Sequence, residues 1–271
     1  MKNQFDISRK IAVVTGGIGR LGRYFTRALV RSGARVAVLD NAEFPSGLER
    51  FLEVPSGRKS FFFAQTDVTS QASLEKALSV VEKRWGRPQG LINAAALDSP
   101  PDSPAEANGP FENYPPSEWD RIMDVNVKGV FLTCQVIGAA MAKNGGGSIV
   151  NVNSVYGMVS PDQRIYGYRA KRGKPFFKPA AYSASKSAVL NLTRYLATYW
   201  AARNVRVNNL TLGGVLDGQD PQFLKGYTRR VPMGRMAKPD EYDGAVLFLL
   251  SNASSYMTGS NLVIDGGWTA W

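Results

Sequence analysis

The feature that most constrains the fold is a regular alternation of short apolar runs with helical segments along the whole chain. Runs rich in aliphatic and aromatic residues, short enough to be buried strands, occur at 10–15, 35–39, 61–65, 90–96, 148–154, 205–210 and 261–264. Strand, crossover helix and next strand in succession favour a parallel sheet. The sequence therefore predicts an α/β fold, a single-domain doubly wound parallel sheet with helices on both faces, over residues 1–271.

The first apolar run ends in a glycine-rich turn that leads into a helix. Residues 16–22 read Gly-Gly-Ile-Gly-Arg-Leu-Gly, and Gly17, Gly19 and Gly22 fit the spacing of a dinucleotide-binding turn. Glycines allow a tight turn and close backbone approach, so that helix N–H groups can hold a pyrophosphate. The second run ends in Asp40, 18 positions after Gly22, where a carboxylate can bind ribose hydroxyls. This context predicts a Rossmann-like nucleotide site rather than an incidental turn.

Tyr182 and Lys186 lie four positions apart in a segment of helical character, so both side chains project from one face. A phenol has a reference pKa of about 10, so using it as a base at neutral pH requires about 4 kcal/mol. An ammonium about 4 Å away supplies roughly that amount at an effective dielectric constant near 20. The pair is sufficient for proton transfer to or from an alcohol. The same spacing also occurs on ordinary amphipathic helices with a solvated lysine.

Composition excludes several alternative chemistries. The chain has no histidine and one cysteine, Cys134, which removes Ser-His-Asp and Cys-His hydrolases and His-ligated zinc. Acid–base chemistry must therefore use tyrosine, lysine or carboxylates, and no metal site is expected. The N-terminus carries no apolar leader, and we expect no membrane span and a cytoplasmic protein.

Motifs along nearly the whole chain resemble those of the short-chain dehydrogenase/reductase family and fall in the family's order. The matching stretches are Thr15-Gly16 with Gly22, Asp67-Val68, 91–96, Asn126-Val127, Asn151 with Ser154 and Gly157, Tyr182 with Lys186, 205–208 and 258–267. The resemblance implies an NAD(P)-dependent oxidoreductase that interconverts a secondary alcohol and a ketone by hydride transfer. Within the family the chain is most similar to gluconate 5-dehydrogenase-like enzymes and to flagellin-modification oxidoreductases of legionaminic-acid pathways, which act on sugars and polyols.

The resemblance also implies residue roles. Tyr182 would be the general acid/base, Lys186 would lower its pKa and bind the nicotinamide ribose, and Ser154 would bind the substrate oxygen. Asn126 would hold a water that relays the proton. Cofactor contacts are implied for Gly16, Gly17, Ile18, Gly19, Arg20, Leu21, Gly22, Asp40, Asp67, Val68, Asn93, Ala94, Ala95, Tyr182, Lys186, Gly213 and Val215.

The chain departs from the family pattern beside the expected site. Arg20, Ala94 and Leu212 replace the usual glycine, asparagine and proline. Ser154 and Tyr182 are 28 positions apart, about twice the family's usual spacing, which indicates an insertion next to the site. We expect substrate loops at about 97–116, 160–180 and 213–238.

Positive charge is concentrated in two of these loops. The net charge is 33 − 22 = +11, and residues 161–180 and 225–238 each carry a net +5. Although a charge run is usually a solvated face, two runs at one cleft favour an anionic substrate. We expect a carboxylate, phosphate or nucleotide diphosphate on a sugar-like or polyol body, with Tyr156, Arg169, Lys171 and Arg172 as candidate substrate residues.

Cofactor choice, partners and alternative functions follow from the same residues. Asp40 favours NAD over NADP because its charge would repel a 2′-phosphate, while Arg20 keeps NADP possible. The family resemblance implies a homotetramer, supported by apolar residues on several faces of two helices (Trp119, Phe131, Tyr195, Tyr199, Trp200). The alternatives are a non-catalytic nucleotide-sensing Rossmann protein and a nucleic-acid binder prompted by the sequence pI of 9.8. No nucleic-acid recognition motif supports the latter, so we expect no nucleic-acid partner.

Overall fold

Seven parallel strands form one sheet in the computed structural model, which describes residues 3–53, 60–98 and 108–271. The strands are β1 (Ile11–Thr15), β2 (Arg35–Asp40), β3 (Phe61–Gln65), β4 (Gly90–Asn93), β5 (Gly147–Ser154), β6 (Val205–Leu212) and β7 (Asn261–Ile264). Their order in the sheet is β3-β2-β1-β4-β5-β6-β7, and every neighbouring pair is parallel. The predicted doubly wound parallel sheet is confirmed.

Helices cover both faces of the sheet. They are α1 (Gly22–Arg31), α2 (Leu48–Phe51), α3 (Gln71–Trp85), α4 (Pro116–Lys143), α5 (Gly167–Lys171), α6 (Ala180–Trp200), α7 (Pro221–Thr228) and α8 (Asp243–Leu250). Successive strand residues point to opposite faces, so Val13 packs with α3, α4 and α6 while its neighbours Ala12 and Val14 pack with α1 and α8. This alternation gives two hydrophobic cores, one on each side of a buried sheet.

Helix α4 is the longest helix of the described chain and contains two π-helical turns, at Asp124–Lys128 and Cys134–Gly138. By length and composition alone it could cross a membrane. Its buried side chains, including Ile137 and Met141, belong to the core against the sheet. We therefore interpret α4 as a core helix of this domain.

Two strands end differently from the sequence expectation. The apolar run at 90–96 continues as a strand only to Asn93, because the backbone of Ala94 and Ala95 turns against the glycine-rich segment and donates to Thr15. Strand β6 continues to Leu212, two residues beyond the predicted run. Both differences lie where the strands reach the functional cleft.

The expected substrate loops are partly structured. Residues 160–180 contain a 3-10 turn, Gln163–Tyr166, and helix α5, while residues 213–238 contain α7. Residues 99–107 of the expected loop at 97–116 lie outside the described residues. Tyr166 and Phe176 of the insertion pack with Phe223, Tyr227 and Trp268 in a third hydrophobic cluster. This aromatic cluster fixes the insertion against α7 beside the sheet.

Candidate active site

A cleft of about 900 Å³ opens at the carboxyl ends of β1, β2, β4, β5 and β6. It lies where the strand order reverses, between β1 and β4, the usual ligand position in doubly wound sheets. One end is lined by the glycine-rich turn and Asp40, and the other by Tyr182, the insertion and α7. The cleft therefore brings the predicted nucleotide and catalytic residues into one cavity.

The glycine-rich turn leaves no room for side chains at two positions. Gly16 has a φ of +63°, and a Cβ there would lie 2.6 Å from the Ala95 backbone. A Cβ on Gly22 would lie 2.0 Å from the Gly16 carbonyl oxygen. Gly22 also begins α1, so the first N–H groups of the helix border the cleft. This cradle fits the pyrophosphate of a dinucleotide.

Asp40 closes the nucleotide end of the cleft. Its carboxylate accepts hydrogen bonds from the backbone N–H groups of Ile18, at 3.3 Å, and Ala42, at 3.2 Å. Arg20 points to the loop after β6 instead, where its Nε lies 2.7 Å from Asp217 Oδ2. The carboxylate thus stands at the end of β2, while the nearby guanidinium is already paired.

Most of the other predicted cofactor residues line the cleft, and three do not. Those in the lining are Gly19, Leu21, Asp67, Val68, Ala94, Ala95, Gly213 and Val215. Gly17 packs behind the turn, where a Cβ would meet Val38 at 2.7 Å. Ile18 contributes its N–H to Asp40, and Asn93 is buried. Gly17, Ile18 and Asn93 therefore support the cleft from behind.

Three of the four predicted catalytic side chains meet at the far end of the cleft. Ser154 ends β5, and its hydroxyl lies beside that of Tyr182 on α6, close enough to lower the pKa of the phenol. The Lys186 Nζ lies 5.9 Å from the centre of the Tyr182 ring and donates to the Val152 carbonyl oxygen at 3.1 Å. Tyr182 is partly exposed to the cleft, while Lys186 is buried beneath it. A substrate oxygen placed here would face two hydroxyl groups.

Buried amide side chains fix α6 against the sheet. Asn93 donates to Asn151 at 2.8 Å, Asn151 donates to Thr193 at 2.8 Å, and Thr193 donates to Asn209 at 3.0 Å. The chain of bonds joins β4, β5, α6 and β6. Asn153 adds a bond of 3.0 Å to the Lys186 carbonyl oxygen. Because buried side chains that hydrogen-bond one another favour one arrangement, this network sets the position of Tyr182 relative to Ser154.

Asn126 does not line the cleft but lies behind the end that contains Ser154 and Tyr182, which we call the catalytic end. It sits in the first π-helical turn of α4 and is buried. Its side chain accepts from the Leu97 N–H at 2.7 Å and donates to the Leu97 carbonyl oxygen at 3.1 Å and to Ser185 Oγ at 3.0 Å. Asn126 thereby ties the segment after β4 to α6.

The four candidate substrate residues divide into two pairs. Tyr156 and Arg169 line the cleft, and Arg169 Nε is buried without a hydrogen-bond partner among the described residues. Lys171 and Arg172 do not line it; Arg172 instead binds Asp220 at 2.6 Å at the start of α7.

Sequence reasoning missed two charged residues at the catalytic end. Lys178, near the end of the insertion, and Asp98, after β4, form an ion pair and both line the cleft. The Lys178 Nζ lies 4.4 Å from the centre of the Tyr182 ring. A signal existed for Asp98, since it follows the carboxyl end of a strand next to the switch point. For Lys178, the only indication in the sequence was its position within a basic run.

Burial shifts the ionisation of Tyr182 and Lys186. Loss of hydration raises the pKa of Tyr182 above its usual value, the Asp98 carboxylate raises it further, and the Ser154 hydrogen bond lowers it. Loss of hydration lowers the pKa of Lys186 to about 8, against an opposing effect of Asp98. Lys186 therefore remains largely protonated at neutral pH beneath a phenol that needs help to ionise.

Comparison with known proteins agrees with this geometry. Residues 17–269 match a family model described as enoyl-(acyl carrier protein) reductase. D-threitol dehydrogenase of Mycolicibacterium smegmatis is 34% identical, and the match covers 98% of this chain and 95% of that protein.

Solved structures resemble the chain over almost its full length. A short-chain dehydrogenase from Leptospira borgpetersenii with bound NAD+ gives a TM-score of 0.85 at 32% identity, covering 99% of this chain and 96% of the other. A gluconate 5-dehydrogenase from Burkholderia cenocepacia, in complex with NADP and tartrate, gives a TM-score of 0.83 at 28% identity, covering 99% and 98%.

Proposed function

The chain belongs to the short-chain dehydrogenase/reductase family and is an NAD(P)-dependent oxidoreductase of secondary alcohols and ketones, and we propose that Tyr182, Ser154 and Lys186 carry its proton transfer. The observation that supports this assignment most directly is that Ser154 and Tyr182 meet at the cleft surface, with the Ser154 hydroxyl close enough to lower the pKa of the phenol. Lys186 lies beneath them with its ammonium near the phenol ring.

Each of the three residues has a distinct task in this proposal. A nicotinamide cofactor held in the cleft would supply the hydride chemistry, as acceptor for the alcohol carbon or as donor to the ketone carbon. Ser154 holds the substrate oxygen, and Tyr182 removes the alcohol proton in oxidation or returns it in reduction. At 5.9 Å and an effective dielectric constant near 20, the Lys186 charge favours the phenolate by about 3 kcal/mol, which offsets part of the effect of burial.

Asn126 has a supporting role in this scheme. Its side chain is hydrogen-bonded to Leu97 and Ser185, so it holds the segment that precedes Asp98 in position. The water relay implied by the family resemblance stays a prediction.

We propose NAD as the preferred cofactor. The Asp40 carboxylate stands at the end of β2, where it can accept from both adenosine ribose hydroxyls and would repel a 2′-phosphate. The Arg20 guanidinium, which could have favoured NADP, is paired with Asp217.

We propose a polyol or sugar-like substrate that carries an anionic group. Arg169 lines the catalytic end, and its buried Nε has no hydrogen-bond partner among the described residues. A carboxylate or phosphate of the substrate would supply the missing acceptor. Tyr156, Tyr166 and Phe223 give that end an apolar wall suited to a carbon skeleton. The structural neighbour that contains tartrate, a hydroxylated dicarboxylate, is consistent with this class. A homotetramer and a cytoplasmic location remain predictions from the sequence.

The test combines a substrate panel with one variant. The protein is incubated with NAD or NADP and with neutral polyols, sugar acids and sugar phosphates, while NAD(P)H absorbance is followed. Tyr182→Phe should lose turnover by about 100-fold or more, because it removes only the acid/base hydroxyl, yet it should fold and bind NAD normally. Near-native turnover by this variant would exclude the assignment of Tyr182, whereas inactivity of the wild type on every substrate would reject the substrate class.

A further inference from the structure

Lys178 occupies a position that no part of the proposed proton transfer uses. It lies two residues before α6, is 8% exposed, and directs its ammonium over the ring of Tyr182. Its Nζ is 4.4 Å from the ring centre, whereas that of Lys186 is 5.9 Å away. The insertion thus brings a second ammonium closer to the phenol ring than the lysine of the recognised motif.

The position of Lys178 is built from both ends of the insertion. Gln163 accepts from the Lys178 N–H at 2.8 Å and donates to the Lys178 carbonyl oxygen at 3.0 Å. Asp98 pairs with the ammonium from the segment after β4. A buried lysine that is held at its backbone and its charge has one arrangement, so its distance from Tyr182 is defined by the fold.

We propose that Lys178 is a positioning residue for Tyr182, whose ammonium against the phenol face favours the ionised form of the catalytic hydroxyl. The inference rests on the proposed role of Tyr182 as the acid/base. A cation over an aromatic face is attracted by the ring, and more strongly when the ring carries an anion. Asp98 holds the lysine in place, and its negative charge opposes part of the effect of the ammonium. The ion pair therefore sets how strongly the Tyr182 phenolate is stabilised.

All groups that face Tyr182 enter this balance. Asp98 raises the pKa of the phenol and the Ser154 hydrogen bond lowers it, while Tyr156 and Tyr227 raise it. The same ion pair acts on the neighbouring lysine, since Asp98 raises and Lys178 lowers the pKa of Lys186. The charged and titratable groups at this end of the cleft include Asp98, Tyr156, Tyr166, Arg169, Lys178, Lys186 and Tyr227.

The test measures the pH dependence of kcat/KM for oxidation of D-threitol, a neutral polyol that cannot bind a lysine as an anion. Lys178→Met leaves Asp98 uncompensated, so the acidic limb should move to higher pH by about one unit or more. Asp98→Asn should move it in the opposite direction. Lys174→Met, an exposed lysine of the same insertion, is the matched control and should leave the profile unchanged.

A substrate-free measurement accompanies the kinetics. The phenolate absorbance of the NAD-loaded protein is titrated with and without the Tyr182→Phe substitution, which isolates the ionisation of this one tyrosine. Lys178→Met should shift that difference titration to higher pH. If the Lys178→Met profiles superimpose on those of the wild type, Lys178 is not a positioning residue. If the titration shifts while no alcohol is oxidised by any variant or by the wild type, the proposed function fails and the inference about Tyr182 ionisation stands.

Discussion

Asp40 is the residue that bears most directly on cofactor choice. We expect NAD to bind more tightly than NADP, and Asp40→Asn to reduce this difference by about tenfold, because the substitution removes the charge that opposes a 2′-phosphate. Binding of both cofactors is measured by titration calorimetry. Glu43→Gln, which neutralises a nearby exposed carboxylate, is the control and should leave the ratio unchanged. Tighter binding of NADP by the wild-type protein would contradict the proposal.

Individual residues differ in how far the sequence could predict them. Tyr182 and Lys186 share one helix face, so their proximity follows from local geometry. Asp98 and Lys178 are 80 positions apart and meet only because β4 ends and α6 begins at the same edge of the sheet. No local pattern contains that contact, and the ion pair therefore required the tertiary structure.

At the scale of elements, the insertion is less cationic than its sequence indicates. Arg172 of the insertion binds Asp220, and Lys178 pairs with Asp98; in the second basic run, Arg235 binds Glu241. Counting charge within a segment overlooks acids supplied by other segments. Of the basic candidate substrate residues, Arg169 is therefore the one that we still expect to bind an anionic group.

Arg169 and Lys171 give a matched comparison within α5. We expect Arg169→Ser to raise the KM for a sugar acid by about tenfold and to leave NAD binding unchanged, because a charge-assisted hydrogen bond to the substrate is lost. Lys171→Ser removes one charge from the same helix outside the cleft and should have little effect. Steady-state kinetics at low salt measure both. Equal effects of the two substitutions would show that only the overall charge of the insertion matters.

Elements were otherwise predictable where their periodicity was strong. All seven strands occur where the apolar runs are, because a strand buried on both faces has to be apolar throughout. The points at which β4 and β6 end could not be predicted from the sequence, because the residues there form the cleft. The short helices of the insertion were also missed, as they depend on packing of Tyr166 and Phe176 against α7.

For the whole molecule, the exposed aromatic residues of α4 and α6 bear on assembly. Tyr195 and Tyr199 are 62% and 61% exposed and stack with their ring centres 5.9 Å apart, and Phe131 is also exposed. Trp200, the other aromatic residue named on α6, is 5% exposed and packs in the core, so it lies on the opposite, buried side of the helix. The remaining aromatic patch is of the kind that association buries.

We expect a tetramer in solution, and Tyr199→Glu should shift it towards smaller species because a charge would be placed in the apolar contact. Light scattering at micromolar concentration measures both states. Tyr256→Glu changes a fully exposed tyrosine elsewhere and serves as the control. A wild-type protein that scatters as a monomer would contradict the expectation.

The two hydrogen bonds between Gln163 and Lys178 also govern how much the length of the insertion can vary. These residues are 15 positions apart, so their contact closes a loop whose far side is open at Gly173. Doubling the length of such a loop raises the entropic free-energy cost of closing it by only about 0.6 kcal/mol. A few glycine and serine residues added after Gly173 should therefore leave NAD affinity and the pH profile for a neutral polyol unchanged, whereas a shifted profile would show that the loop tip is coupled to the base of the loop. The length of the loop around Gly173 can therefore change without altering the position of Lys178. Insertions and deletions there could change the range of substrates while the acid–base residues stay in place.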